Sequence, residues 1–275
     1  DGSTHDGGWA AGLREGHGVA VEVGGGRYDG EWRRGERHGE GRWSRGQESY
    51  AGQWLSGKRA GQGTSVDADG GEYAGGFGPD EAPSGYGRQR RADGSEYEGE
   101  WARGAPHGQG RGLGADGTRY DGAWRDGAWH GAGRLAAPDG LAYDGQFESG
   151  AMCGHGVLRL ADGRQYEGQL SAGRGGGGGV RADGAAVGGI PHGRGVMVEL
   201  DGERYEGEFA DGARHGAGTL CTRGGDVYVG AFADGQRHGA GKLRTARGDH
   251  VAGEWRHGKY SAAASASAGP GELDG

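Results

Sequence analysis

The chain has 275 residues, of which 72 are glycine, and hydrophobic residues make up only 32% of it, so a large conventional core is not expected. The formal net charge of −8 disfavours nucleic acid and anionic lipid as partners, and two cysteines, Cys153 and Cys221, are too few for a disulfide framework. No run approaches the roughly 20 apolar residues of a membrane span, and the residues near Asp1 do not resemble a signal peptide, so we expect a soluble, cytoplasmic protein.

A short aromatic motif recurs from Tyr28 onwards. Its first copy is Tyr28-Asp-Gly-Glu-Trp32, and later copies keep the tyrosine, the central glycine and a final tryptophan or phenylalanine. In the regular stretches the copies lie about 23 residues apart, a period typical of repeat architectures. The copies begin at Tyr28, Tyr50, Tyr97, Tyr120, Tyr143, Tyr205 and Tyr228.

A second motif, Gly-x-x-His-Gly-x-Gly, follows the aromatic motif in many units, as in Gly35–Gly41 and Gly212–Gly218. Together the two motifs resemble the MORN repeat, and the resemblance covers residues 5 to about 258. It implies a repeat array that is not an enzyme. Proteins of this family serve as scaffolds and docking platforms, and nearly pure arrays of the repeat occur in the radial-spoke heads of motile cilia.

The residues themselves predict a β-hairpin in each unit. Between Tyr97 and Trp101 the tyrosine, glycine and tryptophan share one face of a strand, and two glutamates share the other face. Gly104 provides a turn, and the return strand carries glycines at period two from Gly108 to Gly112. Glycine inside a strand indicates that something large approaches the backbone closely, and the aromatic rings are the expected occupants.

Stacking of the hairpins predicts the architecture. An isolated hairpin is marginal in water, so neighbouring units are expected to pair edge to edge, with the rings of one repeat covering the glycines of its neighbours. We therefore predict an all-β fold, an elongated, twisted, single-layer antiparallel sheet. About eleven units at a rise of about 10 Å each would make it roughly 110 Å long.

The repeat pattern is disturbed in several places. The unit at Tyr73 reaches its paired glycines one residue late, which predicts a longer hairpin tip, and the Gly175–Gly179 run indicates either a tolerant loop or a hinge. The low-complexity segment after Ser261 predicts a disordered tail or linker. The expected divisions are repeat blocks at 1–179 and 196–260, a shortened repeat with a bend at 180–195, and the tail at 261–275.

No residue group indicates catalysis, a cofactor or a metal. The glycine-spaced segment 112–117 leads to a tyrosine strand and not to a helix, so it does not predict a nucleotide site. Equivalent histidines in successive hairpins would lie about 10 Å apart, too far for a shared zinc, so a structural turn role is expected. These histidines are His38, His107, His130, His192, His215 and His238.

The aromatic stripe is the predicted partner-binding surface, because nothing in the sequence supplies a second layer to cover it. The alternative is that twist and neighbouring rings bury the stripe as internal packing. A further alternative is that an outer row of carboxylates binds a basic partner. The stripe comprises Trp32, Trp54, Trp101, Trp124, Phe147, Phe209 and Phe232, and the carboxylate row comprises Asp29, Glu31, Glu98, Glu100, Asp121, Asp144, Glu167, Glu206, Glu208 and Glu254.

Three functions remain open from the sequence. The favoured hypothesis is a scaffold that binds other protein subunits of a large cytoskeletal assembly, which the family resemblance places in the axoneme of a cilium or flagellum. A second is attachment to phosphoinositide membranes, which the net acidic charge disfavours. A third is a targeting array of a larger enzyme, as the resemblance also implies for some lipid kinases and a lysine methyltransferase.

Overall fold

A computed structural model describes residues 2–172 and 189–261. These residues form 22 β-strands, which pair antiparallel along the chain, and no helix, so the predicted all-β fold of stacked hairpins is confirmed. They accordingly contain no helix that could cross a membrane. The Gly175–Gly179 run, the first part of the predicted shortened repeat and the tail from residue 262 lie outside the described residues.

Each hairpin pairs an odd-numbered strand with an even-numbered return strand, and the odd-numbered strand carries the repeat tyrosine in all but the first and last hairpins. The odd-numbered strands are β1 (Thr4–Ala10), β3 (Arg27–Arg33), β5 (Glu48–Leu55), β7 (Glu72–Phe77), β9 (Glu96–Ala102), β11 (Arg119–Arg125), β13 (Ala142–Glu148), β15 (Gln165–Ser171), β17 (Arg204–Ala210), β19 (Val227–Ala233) and β21 (His250–Arg256). The even-numbered strands are β2 (Leu13–Val21), β4 (Glu36–Arg45), β6 (Lys58–Val66), β8 (Pro83–Arg90), β10 (Ala105–Leu113), β12 (Ala128–Ala136), β14 (Ala151–Arg159), β16 (Ile190–Val198), β18 (Ala213–Cys221), β20 (Gln236–Arg244) and β22 (Lys259–Ser261).

The described chain divides into two compact units. The first comprises residues 2–152, with β1 to β13 and the start of β14. The second comprises residues 153–172 and 189–261, with the rest of β14 and β15 to β22.

The hairpin tips explain the recurrent Xaa-Gly pair that follows most of the odd-numbered strands. At the tip between β9 and β10, Arg103 has a φ of 50° and Gly104 a φ of 78°. Two consecutive positive φ values are those of the type I′ turn, whose twist matches the flanking strands. The longer tip predicted for the Tyr73 unit is also present, where the Gly78 amide donates to the Ala82 carbonyl at 2.9 Å.

A glycine row crosses each unit at right angles to the strands. Gly99 pairs with Gly87 on one side and with Gly110 on the other, and Gly110 pairs in turn with Gly122. In the second unit Gly207 pairs with Gly195 and Gly218 in the same way. Within each unit the repeat period thus aligns one glycine of each strand in this row, apart from β22, which contains no glycine.

Aromatic rings cover this glycine row, as predicted, but the source of each ring differs from the prediction. A Cβ atom on Gly110 would lie 2.3–2.6 Å from the Tyr97 ring and hydroxyl, and Tyr97 belongs to the same hairpin. The neighbouring repeat contributes its tryptophan instead, since the Trp124 Nε1 donates to the Gly110 carbonyl at 3.1 Å. Tyrosine therefore packs within a hairpin, and tryptophan joins one hairpin to the preceding one.

Candidate functional site

The face of the strands that carries the tyrosines, the glycine row and the tryptophans is called here the inner face, and the opposite face the outer face. Six of the seven predicted partner-binding rings are buried on the inner face, with relative exposures of 2–5%, and Trp124 alone among the seven is half-buried. This burial favours the alternative that the rings are internal packing. A partner role for them stays a prediction. The six buried rings are Trp32, Trp54, Trp101, Phe147, Phe209 and Phe232.

The rings form a continuous edge-to-face ladder within each unit. Tyr97 contacts Trp101 of its own strand with ring centroids 5.1 Å apart, and Trp124 of the next hairpin at 4.9 Å. In the second unit Tyr205 lies in the same way between Phe209 and Phe232. Such pairs contribute about 0.5–1.5 kcal/mol each beyond their buried area, so the ladder stabilises the stacking of hairpins.

The tyrosine hydroxyl also lies against backbone carbonyls near the register shift of its hairpin, which falls between Pro106 and Gly110 in the Tyr97 hairpin. The Tyr97 hydroxyl donates to the Glu100 carbonyl at 2.8 Å and lies 3.4 Å from the His107 carbonyl. Burial raises the pKa of the equivalent Tyr28 and Tyr205 to about 12, because the charged phenolate would be desolvated. The inner face therefore requires its tyrosines to be protonated.

Arginine side chains cover much of the inner face, and the sequence analysis missed them. The Arg37 guanidinium lies 5.2 Å from the Tyr28 ring centroid and 4.9 Å from that of Trp54, and it forms an ion pair with Glu22. Arg214 stacks on Tyr205 in the same way and pairs with glutamates of the preceding turn. These arginine lids are Arg14, Arg37, Arg59, Arg214 and Arg237.

The Arg214→Ala substitution is expected to lower the free energy of unfolding by about 2 kcal/mol, because it removes the ion pairs of this arginine with Glu203 and Glu199 and uncovers Tyr205. Glu199 keeps a contact of 3.8 Å to Arg164. The side chain is only 17% exposed and lies 2.7 Å from Glu203 and 3.2 Å from Glu199. Urea denaturation followed by circular dichroism measures the change. Arg204→Ala is the control, since Arg204 is 45% exposed and pairs with Glu206 at the surface, where about 0–1 kcal/mol is expected. Equal effects of the two variants would contradict a stabilising role for the lid.

No arginine lid covers Tyr97. The position that holds Arg37 in its hairpin is taken by Pro106 here, and by Trp129 in the next hairpin, where the indole stacks on the Tyr120 ring at 5.0 Å and 14°. We call the stretch from β9 to β12 the open segment. It contains Trp124, the half-buried member of the predicted stripe.

A cavity of about 420 Å³ lies on the inner face of the open segment. Gly112 lines it at a position that holds leucine in other hairpins, such as Leu135 and Leu158, which are 2% and 1% exposed. The Trp124 ring lies against Gly112, where a Cβ atom would be 2.8 Å from its nearest ring carbon, and it borders the cavity. The cavity is also lined by Arg91, Ser95, Tyr97, Pro106, Asp116, Thr118, Tyr120 and Trp129.

The histidines before the paired glycines lie near hairpin tips. The Nδ1 of His107 is 3.5 Å from the Asp126 amide, within hydrogen-bonding reach, and 3.8 Å from the Asp126 carboxylate. His192 is placed similarly, 3.9 Å from Asp211. Within 2–172 and 189–261, no cluster of three or more histidine, cysteine or acidic side chains could hold a metal ion. A histidine at this position therefore contacts the tip of the next hairpin.

The predicted row of outer carboxylates is interleaved with basic residues in the first unit. Glu98 lies between Arg88 and Arg111 in the strand register. Across the next strand pair, Arg111 pairs with Asp121 at 3.0 Å. The open segment therefore carries alternating charges on its outer face, not a purely acidic strip.

Comparison with known proteins identifies the repeat. The MORN repeat model matches residues 5–21, 28–47, 50–72, 97–119, 120–142, 143–163, 187–198, 205–227 and 228–250. These segments make up more than half of the chain, so the chain belongs to the MORN-repeat family.

No curated protein sequence matches the chain. Among solved structures it is similar to the TCP domain of Drosophila melanogaster SAS-4, with 10% identity, a TM-score of 0.31, and coverage of 71% of this chain and 85% of that chain. It is also similar to the TCP10 domain of Danio rerio CPAP, with 11% identity, a TM-score of 0.31, and coverage of 92% and 99% respectively.

Proposed function

We propose that this MORN-repeat protein is a non-enzymatic docking platform that holds another protein against the inner face of its open segment. The supporting observation is the contrast between hairpins. Arg37 and Arg214 cover the rings of their own hairpins, whereas Tyr97 and Trp124 border an uncovered cavity of about 420 Å³. Uncovered aromatic side chains at the centre of an interface are the usual energetic anchors of protein association.

The proposal extends to the setting in which such a platform would work. An array of many similar hairpins offers repeated contact points along one chain, which suits a subunit of a large cytoskeletal assembly. The family resemblance supports the radial-spoke head of a ciliary or flagellar axoneme as that assembly. The charges of the outer face favour protein over anionic lipid, because Arg88, Arg111 and Arg134 each have a carboxylate within 3.0 Å.

Site-specific photo-crosslinking tests the docking surface. A photoreactive amino acid at Asp116, beside the open cavity, is expected to form crosslinks to a second protein in cells. Asp201 is the matched control, because it occupies the same turn position before a hairpin that has a lid. Both aspartates accept the amide two residues further on, at 2.8 Å from Thr118 and 2.9 Å from Glu203.

The possible results separate the hypotheses. Protein crosslinks at Asp116 and few at Asp201 would support docking at the open segment. Equal crosslinking at both positions would mean that the missing lid does not define the surface. Crosslinks recovered mainly in lipid would favour membrane attachment instead.

A further inference from the structure

In two hairpins the arginine lid is linked to a turn residue on the other side of the tyrosine. Where the residue six positions before the tyrosine is Glu22 or Glu199, the residue nine positions after it is Arg37 or Arg214. Each arginine forms an ion pair with that glutamate. In these two hairpins a glutamate at the turn thus goes with an arginine lid.

The covering position varies where the turn residue is not acidic. Ser44 and Thr222 go with the lids Arg59 and Arg237, whereas two smaller turn residues go with apolar side chains. Gly114 and Ala137 precede Tyr120 and Tyr143 by six positions, and the corresponding covering positions hold Trp129 and Met152. Both of these large apolar side chains are buried, at 7% and 3% exposure. A glycine or alanine at the turn position thus goes with a large apolar residue at the covering position.

Tyr97 departs from both arrangements. Arg91 stands six positions before it and Pro106 nine positions after it. Proline is too short to cover the ring, and the positive charge of Arg91 disfavours a guanidinium in the cavity. The chain therefore leaves uncovered, beside Tyr97, a place that other hairpins fill with an arginine or a large apolar side chain.

The polar edge of the cavity adds two groups that a partner can use. Arg91 is exposed and has no ion pair among the described residues, although its charge contributes to lowering the pKa of Asp93. The Ser95 hydroxyl is buried without a well-formed hydrogen bond, although its interaction with Asp93 also lowers the pKa of that carboxyl. By contrast, the equivalent Thr118 hydroxyl donates to its aspartate at 2.8 Å.

We propose that the cavity at Gly112 accepts a partner peptide segment in which a large apolar side chain stands next to an acidic residue. The apolar side chain packs against Tyr97 and Trp124, in the place of the missing lid, and the carboxylate pairs with Arg91. A polar group of the peptide backbone bonds to the Ser95 hydroxyl. This inference rests on the proposed docking function and adds the chemistry of the segment that docks.

Selection of random peptides displayed on phage tests the proposal, with the full chain as bait. The Gly112→Leu variant is the counter-selection bait, because its side chain occupies the cavity wall and displaces the Trp124 ring, which would lie 2.8 Å from the new Cβ atom. A leucine is compatible with a tryptophan at this spacing, as Leu243 and the fully packed Trp255 show. Peptides retained by the natural chain and lost on Gly112→Leu are expected to carry a large apolar residue within about two positions of Asp or Glu.

Charge reversal supplies the second measurement. Arg91→Glu is expected to weaken the binding of these peptides about fivefold, the factor that corresponds to an exposed ion pair of about 1 kcal/mol. Arg223→Glu is the matched control, since it makes the same change in net charge at an exposed turn of the second unit. Thermal melts establish that all three variants fold.

Several results would overturn the proposal. These are enrichment of basic peptides, equal weakening by Arg91→Glu and Arg223→Glu, or failure to obtain any peptide sensitive to Gly112→Leu. If crosslinking at Asp116 succeeds while the peptides show no apolar and acidic preference, the docking function stands and only the partner chemistry is wrong. If crosslinking at Asp116 fails and the peptides also show no apolar and acidic preference, the docking function itself is rejected.

Discussion

Replacement of Gly99 by valine is expected to lower the free energy of unfolding by about 3 kcal/mol, because the row of paired glycines leaves no space for a side chain. A Cβ atom at this position would lie 2.5 Å from both the Gln109 carbonyl oxygen and the Gly110 Cα, and 2.6 Å from the Tyr97 hydroxyl. Two of these neighbours are backbone atoms, so the clash cannot be relieved by a change of rotamer. Thermal denaturation followed by circular dichroism measures the loss.

The adjacent residue provides the control for this prediction. Glu98 lies on the outer face, is exposed, and accepts a hydrogen bond from the exposed Tyr86 hydroxyl at 3.0 Å. Glu98→Lys is therefore expected to change stability by no more than about 1 kcal/mol. Gly207→Val repeats the test in the second unit, where the Cβ would meet the Gly218 Cα at 2.6 Å. Similar melting temperatures for Gly99→Val and Glu98→Lys would mean that the glycine row is not closely packed.

The hairpins could be predicted from the sequence because their determinants are local. Tyr97, Gly99 and Trp101 alternate along one strand, and Gly104 marks the turn, so periodicity alone places the strand, its buried face and its tip. The paired glycines then indicate a close approach by rings. Because the motif recurs, the same hairpin is predicted at each repeat.

The arginine lids could not be predicted from the same patterns, since they depend on residues far apart in sequence. Arg37 and Glu22 are fifteen positions apart and approach one another only after two strands have paired. An arginine beside a hairpin tip also has an ordinary interpretation as a solvated charge. A partial signal exists in the recurrence of arginine nine positions after a tyrosine, as at Arg37, Arg59 and Arg214.

The open segment could not be recognised from the sequence, because Gly112 looks like a regular member of the glycine pattern. Gly112 follows Gly108 and Gly110 at period two, so it resembles part of the glycine pattern, yet the equivalent position holds Leu135 in the next hairpin. The departures from the repeat at Pro106 and Gly112, not the conserved motif, mark the cavity. The predicted stripe was uniform, whereas packing singles out Trp124 from its buried equivalents.

Alkaline pH is expected to unfold the protein between about pH 10 and 12, because its inner face depends on protonated tyrosines. Burial raises the pKa of Tyr28, Tyr50, Tyr73, Tyr166 and Tyr205 from 10.0 to about 12. Below pH 10 the folded and unfolded chains both keep these protons, so stability does not depend on them. Between pH 10 and 12 the unfolded chain releases protons that the folded chain retains, and the free energy of unfolding falls.

The slope should be steep, since each buried tyrosine contributes up to about 1.4 kcal/mol per pH unit within this window. Several tyrosines acting together can exceed the stability of a typical domain, about 5–15 kcal/mol. Tyrosinate absorbance near 295 nm and the β-sheet circular dichroism signal should therefore change together, apart from a small contribution of Tyr86, which is 63% exposed. A full absorbance change centred near pH 10 with an intact sheet signal would show that the tyrosines ionise inside the fold, and that the buried hydroxyls do not hold the hairpins in the way described.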